Sequence, residues 1–564
     1  MPAERPNNTQ NAAPGAKVKH HTEFGPISHA SHRYSNHHTT RLWSDPIVEQ
    51  PPYFYFITTY LSYMVIHIIG TIRDLFGRYF REKRYRHLRP WNGYAPWFTA
   101  GESVYTRRMK VRLADCLDRP TTGVPGRYIT LIDRETSDHN RTFHFTGTTT
   151  QTLNLSSYNY LGFAQSEGPC ADRAEEAIRT HGISAGSTRA DVGSLDLHVE
   201  VERLVADFVH KDAAMVFSAG FGTNATILPA LVGRGSLIIS DELNHSSLRF
   251  GARLSGASVV AFKHNDMKAL EGRLRQAISQ GQPTSMGYCP WDKILVIVEG
   301  MYSMEGTFCN LPAIIELKHR YKFYLFMDEA HSIGAIGPHG RGVCDYFGID
   351  TKEVDIMMGT LTKSFGAIGG YIAADRGIMK KLQAVNAGVV YGEAIAPAML
   401  AQISAALRII TGELVPGQGE ERLQRLAFNA YYLRLGLKRL GFIVYGHDDS
   451  PVIPLILYNP GKMTAFSRMM LKCGISVVVV PYPAVPLGQC RVRFCVSAAH
   501  NVEDLNRVLT ACNEIGNILT LKLSRGLPGR LCPQAKPTGG KAVPSTWRVE
   551  EVIRCGPEDV HRLL

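Results

Sequence analysis

From Leu155 to about residue 395 the chain alternates short apolar runs with amphipathic stretches, and several of the runs end directly in polar motifs. That alternation is the mark of an α/β fold with a largely parallel sheet. The runs are 213–217 before SAGFGTN, 237–239 before SDELNHSS, 294–298 before EGMYSMEG, 324–327 before DEAHSIG and 356–358 before GTLTKS. Ligands in an open parallel sheet bind at the carboxyl ends of the strands, so the motifs are expected to converge on one crevice.

The last motif, GTLTKSFGAIGG, presents Lys363 in a glycine-rich turn. A lysine amine condenses with carbonyl cofactors once desolvation lowers its pKa, and pyridoxal phosphate is the commonest such partner. A surface lysine and a phosphate-cradling nucleotide loop are the competing readings. The second needs glycine directly before the lysine, where Thr362 stands. Pyridoxal phosphate also needs a carboxylate beside its ring nitrogen, and Asp328 at the end of its strand can supply one. The DEAH tetrad resembles the second motif of nucleotide-driven helicases too. That reading lacks its partner motif, because Lys462 and Lys541, each preceded by glycine, are followed by Met463 and Ala542. The cofactor phosphate would need N–H donors at a helix start, and Gly220, Phe221, Gly222 and Thr223 open a helical run over 224–232. Thr360 can add a hydroxyl and His245 a ring face, although a plain loop or core histidine is the alternative for His245. Ser303 and His331 are placed to donate to the ring's phenolic oxygen or to the substrate.

The formal charge of +12 favours anions without choosing among nucleic acid, anionic lipid and a polyphosphate carrier. Eleven cysteines without a C-x-x-C pair fit reduced thiols, and no metal site is expected. Residues 1–52 are polar and expected to be disordered, and the six histidines before residue 50 have no rigid ligand spacing. Residues 53–72 carry no formal charge and are long enough to cross a bilayer. A spanning anchor is the expectation, with an interfacial helix or a buried soluble helix as alternatives. Arg73, Arg78, Arg81, Lys83, Arg84, Arg86 and Arg89 follow it, against Arg33 and Arg41 before it. The positive-inside rule then predicts a lumenal amino terminus and a cytosolic catalytic domain. Residues 73–154 read as a juxtamembrane or linker region, 155–395 as the large domain, 396–523 as a smaller α+β domain and 524–564 as a flexible tail or docking segment.

NHSS, EGMYSMEG, DEAHSIGA and GTLTKSFGAIGGY together resemble the motif series of the α-oxoamine synthases, pyridoxal-phosphate enzymes of fold type I. SYNYLGF at 157–163, GSTRADVGSLDLHVEVERL at 186–204, GRGVCDYFG and RFCVSAAH at 493–500 narrow the likeness to the lysine-bearing subunits of the serine palmitoyltransferase family. The resemblance spans about residues 40 to 523. It implies that Lys363 holds pyridoxal phosphate covalently, that Asp328 pairs with the ring nitrogen, and that His245 and Ala330 cover the two ring faces. Ser303 and His331 would contact the ring oxygen or substrate, Gly220, Phe221 and Thr360 the phosphate, and Arg493 the amino acid carboxylate. The implied reaction is the decarboxylating condensation of L-serine with palmitoyl-CoA to 3-ketodihydrosphingosine. It further implies a homologous partner subunit lacking the lysine, small regulatory membrane subunits, no nucleic acid, and a place at the endoplasmic reticulum membrane. Another α-oxoamine synthase using glycine or alanine, and a non-catalytic membrane scaffold, are the rival functions. Ile368 stands where relatives carry a small residue and Val485 where they often carry threonine, which bears on substrate detail.

Overall fold

The computed structural model of the chain describes residues 24, 29–38, 49–80, 90, 92–96, 110–283, 287–524 and 547–563. The basic residues Arg81 to Arg89, Arg41, most of the polar amino terminus and residues 525–546 lie outside the described set. Its strands are β1 (Thr121–Thr122), β2 (Tyr128–Glu135), β3 (His144–Leu155), β4 (Ala213–Phe217), β5 (Leu237–Asp241), β6 (Ser258–Phe262), β7 (Ile294–Glu299), β8 (Tyr324–Asp328), β9 (Ile356–Thr360), β10 (Gly370–Ala374), β11 (Val452–Tyr458), β12 (Ile475–Val480) and β13 (Cys490–Cys495). Helices that mount the site are α1 (Tyr53–Phe80), α2 (Gly220–Leu231), α3 (Ser246–Ser255), α4 (Gln418–Arg439) and α5 (Val549–Leu563).

The large domain is a seven-stranded sheet in the order β4-β10-β9-β8-β7-β5-β6. Strands β5 to β9 run parallel, and β10 is antiparallel to both β4 and β9. Side chains of a strand alternate between the two faces of its sheet. Leu237, Ile239, Val296, Val298, Leu325 and Met327 accordingly enter one core, and Ile238, Leu295, Ile297 and Phe326 the other. A sheet covered on both sides needs apolar residues at every position, which is why these strands read as continuous runs.

The second sheet has the order β1-β2-β3-β12-β13-β11, with β3 parallel to β12 and its other pairings antiparallel. Residues 121–155, expected to belong to a linker, thus supply half of the small domain's sheet. Strand β3 reads HFTGTTTQTLNL, and only its last four residues are buried. Its threonines suit a solvent-facing strand, and such a strand shows no apolar run in sequence.

Part of the amino-terminal stretch expected to be disordered is docked on this body. Tyr34 Oη donates to Asp449 Oδ1 at 3.2 Å, and His38 N donates to the Tyr346 carbonyl at 2.8 Å. At the other end, α5 closes over α4: Arg439, fully buried, pairs with Asp559 at 2.8 Å and lies 4.5 Å from the Trp547 ring centre.

Helix α1 is longer than the apolar stretch that announces it, and Tyr53–Gly77 is long and apolar enough to cross a membrane by length and composition. Thr59, Tyr63 and Asp74 are buried along one side, while Phe54, Ile57, Leu61, Met64, Val65, Ile68 and Ile72 are exposed on the other. Its first turns sit on the small domain. Tyr60 Oη donates to the Leu487 carbonyl at 3.0 Å, and Tyr63 Oη lies 3.3 Å from Cys490 Sγ.

Candidate active site

Strands β7, β8 and β9 end side by side, with Glu299 in register with Asp328 and Asp328 with Met358. Asp328 is buried, and each carboxylate oxygen has a donor. Asn224 Nδ2 donates to Oδ2 at 2.7 Å and Ala330 N to Oδ1 at 2.8 Å. Asn224 comes from the first half of α2 and also donates to Ser247 Oγ at 3.0 Å, so one side chain ties α2 and α3 to the end of β8. Close approach of the two helices requires Gly251, where a Cβ would stand 2.4 Å from the Asn224 carbonyl oxygen.

His245 caps α3. Its Nδ1 accepts from Ser247 N at 3.2 Å, and burial lowers its pKa, so the ring is neutral with its hydrogen on Nε2. The His245 backbone N–H donates to Glu299 Oε1. Burial, and then the charge of Asp328, push Glu299 well above the usual carboxylate range. Glu299 is therefore a neutral acid that adds no second negative charge beside Asp328.

Lys363 follows β9 in the turn that leads to β10. Desolvation lowers its pKa to about 8, against the opposing pull of Asp328. Its Nζ lies 5.3 Å from the centre of the Tyr158 ring. The Arg493 guanidinium, on β13 of the small domain, stacks on the same ring at 4.5 Å. Arg493 Nη1 reaches Met304 Sδ at 3.6 Å, and its buried Nε has no hydrogen-bond partner. His331 packs edge-on to Tyr158, with ring centres 4.9 Å apart, and its Nδ1 lies 2.9 Å from Tyr160 Oη. Burial and the nearby cations Lys363 and Arg493 hold His331 far below the ordinary imidazole pKa, so it is neutral.

The start of α2 forms a second feature of the crevice. Its cap residue Ala219 makes no side-chain cap, so the first-turn N–H groups of Gly220 and Phe221 are not capped by it. Thr360 Oγ1 hangs over this helix start, and a Cβ on Gly220 would lie 2.9 Å from it. Thr360 Oγ1 also donates to the Gly369 carbonyl at 3.0 Å and pairs with Thr362 Oγ1 at 2.8 Å.

Lys363, Asp328, His245, His331, Arg493, Thr360 and Gly220 are thus brought to one crevice, with the Ala330 backbone against Asp328. Phe221 is half exposed, its ring 6.3 Å from that of His245. Ser303 is buried in the turn after β7, beside Met304, and touches the crevice through that neighbour. Ile368 is exposed in the lysine turn, whereas Val485 is buried in the loop between β12 and β13. Four residues of the site had no assigned role from sequence: Tyr158, Tyr160, Asn224 and Glu299. A buried asparagine on an otherwise apolar helix is the signal that could have found Asn224. Nothing local singles out the tyrosines, which are about two hundred residues from Lys363.

The donor set fits pyridoxal phosphate. An amine poised near neutrality meets the aldehyde, a doubly held carboxylate meets the ring nitrogen, and a glycine-cleared helix start meets the phosphate. Comparison with known proteins agrees. The family description "Aminotransferase class I and II" matches residues 150–511. Serine palmitoyltransferase 2 of Schizosaccharomyces pombe is 54% identical over 542 residues, covering 95% of this chain and 90% of that protein. Serine palmitoyltransferase 2 of Saccharomyces cerevisiae is 51% identical over 544 residues, covering 96% and 95%. A solved structure described as SPT with PLP internal aldimine is 25% identical, with a TM-score of 0.64, covering 74% of this chain and 98% of that one.

Only an uncharged amine attacks an aldehyde. Below its lowered pKa, Lys363 carries the proton and is inert, so the rate at which cofactor-free protein takes up an aromatic aldehyde should rise with pH and level off above about 8. Borohydride-reducible absorbance follows the reaction. An exposed lysine would keep gaining rate to about pH 10.

Proposed function

The chain belongs to the serine palmitoyltransferases within the class I and II aminotransferase family, and from that membership we infer that its crevice condenses L-serine with palmitoyl-CoA to 3-ketodihydrosphingosine. The observation that carries the reading is Lys363, an amine lowered to about 8 and set beside the doubly held Asp328.

Pyridoxal phosphate, when bound, supplies an electron sink for the pair left at the serine Cα when a bond to it breaks. Lys363 would hold that cofactor and, once released by the incoming serine amine, take the Cα proton. With a pKa of about 8, roughly a fifth of the amine is uncharged at pH 7.4, enough to act as a base. Asp328, fixed by Asn224 and the Ala330 N–H, would keep the ring nitrogen protonated. His245 would cover one ring face and Ala330 the other, while Ser303 and His331 would offer hydrogen-bond donors to the ring oxygen or substrate. Thr360 and the backbone of Gly220 and Phe221 would bind the phosphate. The unpartnered Nε of Arg493 is free for the serine carboxylate, and Tyr158 beneath it limits its swing. A bond then forms from Cα to the acyl carbon as the carbon–sulfur bond breaks and releases CoA. The bond from Cα to the carboxylate breaks next, releasing carbon dioxide, and the Lys363 ammonium returns its proton to Cα.

Around the helix start, Phe221, Phe250 and Leu254 are exposed apolar side chains. A homologous subunit lacking the lysine would cover this face. The membrane is the endoplasmic reticulum, with the site on its cytosolic side. Tyr60 and Tyr63 seat α1 on the small domain, and its exposed side, from Phe54 to Ile72, is the apolar face left for the bilayer. Residues 29–38 are docked on the same body, which supports an amino terminus on the cytosolic side instead of the lumenal one expected from flanking charge.

Purified with its partner subunit, the chain should convert L-serine and palmitoyl-CoA to the ketone product by mass spectrometry, with glycine and alanine poor substitutes. Preference for either would make it a different α-oxoamine synthase. Arg493→Lys should raise KM for L-serine about tenfold while kcat changes less, because lysine cannot hold a carboxylate bidentately. In sealed microsomes, protease should remove an amino-terminal tag, and protection of the tag would place that end in the lumen.

A further inference from the structure

Tyr160 has no part in the chemistry above, yet its side chain is fully buried and its hydroxyl lies 2.9 Å from His331 Nδ1. Burial pushes the phenol well above its ordinary pKa, so it keeps its proton, and that proton needs an acceptor. Among the described residues, His331 Nδ1 is the acceptor recorded for it. The reverse arrangement, Nδ1–H donating to the phenol oxygen, would strand the tyrosine hydrogen in an apolar interior.

The hydroxyl is also held in place. The Tyr160 carbonyl accepts from Ala498 N at 2.7 Å, and the preceding Asn159 carbonyl accepts from Ser497 Oγ. The segment carrying Tyr160 is therefore clamped to the residues that follow β13. His331 itself is neutral under the combined effect of burial, Lys363 and Arg493, with His245 the other titratable group near it and the Tyr158 ring edge-on beside it. Only one of its nitrogens carries hydrogen.

We propose that Tyr160 is a positioning residue that fixes His331 as the Nε2-protonated imidazole, so that the nitrogen remote from Tyr160 meets cofactor and substrate as a donor. The inference rests on the reading of His331 as a donor to the ring oxygen or substrate. A donor at that oxygen makes it less basic, and loss of the donor would raise the pH at which the bound cofactor's visible absorbance changes.

The test is Tyr160→Phe in the complete holoenzyme complex, alone and with His331→Gln. Tyr160→Phe should lower kcat/KM for L-serine about tenfold, with KM little changed. The absorbance transition should move up by about one pH unit. Fluorotyrosine incorporated at position 160, which keeps the hydroxyl, should restore kcat/KM to within about twofold of the wild type. Adding Tyr160→Phe to His331→Gln should cause no further loss, because the hydroxyl acts only through the imidazole. An unshifted absorbance profile in Tyr160→Phe, with only a lower melting temperature, would overturn the proposal, as would losses that multiply in the double variant. If His331→Gln alone changed neither rate nor spectrum, the role of His331 would fall, and the proposal with it.

Discussion

The carboxylate of Asp328 is the charge around which the catalytic crevice is arranged. It is buried at the end of β8, where an ionised carboxylate without donors would be costly. Asn224 and the Ala330 N–H supply those donors, and in doing so they fix the start of α2 and the first turn after β8. The same buried charge opposes the desolvation of Lys363, whose pKa settles at about 8 as the balance of the two effects. It also helps to keep Glu299 protonated, so a single negative charge stands at the ends of β7 and β8. A neutral residue at position 328 would remove both charge effects, on Lys363 and on Glu299, together.

The site is completed across the seam between the two sheets. The large sheet brings Lys363, Asp328, His331 and Thr360 at strand ends, while Arg493 arrives on β13 of the small one. Between them lies the segment that follows β3, whose Tyr158 ring touches Lys363, Arg493 and His331 at once. On its outer side the small domain carries α1 through Tyr60 and Tyr63, against the loop that leads into β13. The anchor and the strand bearing Arg493 are thereby neighbours, which suits a substrate whose acyl chain comes from a bilayer.

The large sheet could be read from the sequence because its strands are buried on both faces, and the site residues at their ends follow from the rule that ligands bind there. The strands named from the apolar runs agree with β4, β5, β7, β8 and β9 to within two residues at either end. Strands β1 to β3 escaped because their exposed, threonine-rich faces carry no apolar signal, so the small domain seemed to begin after residue 395. Tyr158 and Tyr160 act on Lys363 and His331 through contacts between distant parts of the chain, and no local pattern announces such contacts. Asn224 and Glu299 looked like ordinary helix and strand residues until burial made their polar groups significant. Helix α5, inside the segment read as a flexible tail or docking segment, becomes legible only in the fold, since it is stabilised by the Arg439–Asp559 pair and by burial of Val552 and Val560.

The central claim is that the Asp328 charge empowers a cofactor held at Lys363, and the most direct measurement replaces that charge alone. In Asp328→Asn, loaded with pyridoxal phosphate in the complete complex, the account predicts borohydride-reducible absorbance still attached at Lys363. Formation of the ketone product should nevertheless fall by about a hundredfold or more, because the ring nitrogen loses the partner that keeps it protonated. Turnover within a few-fold of the wild type would contradict the account and make Asp328 a structural residue.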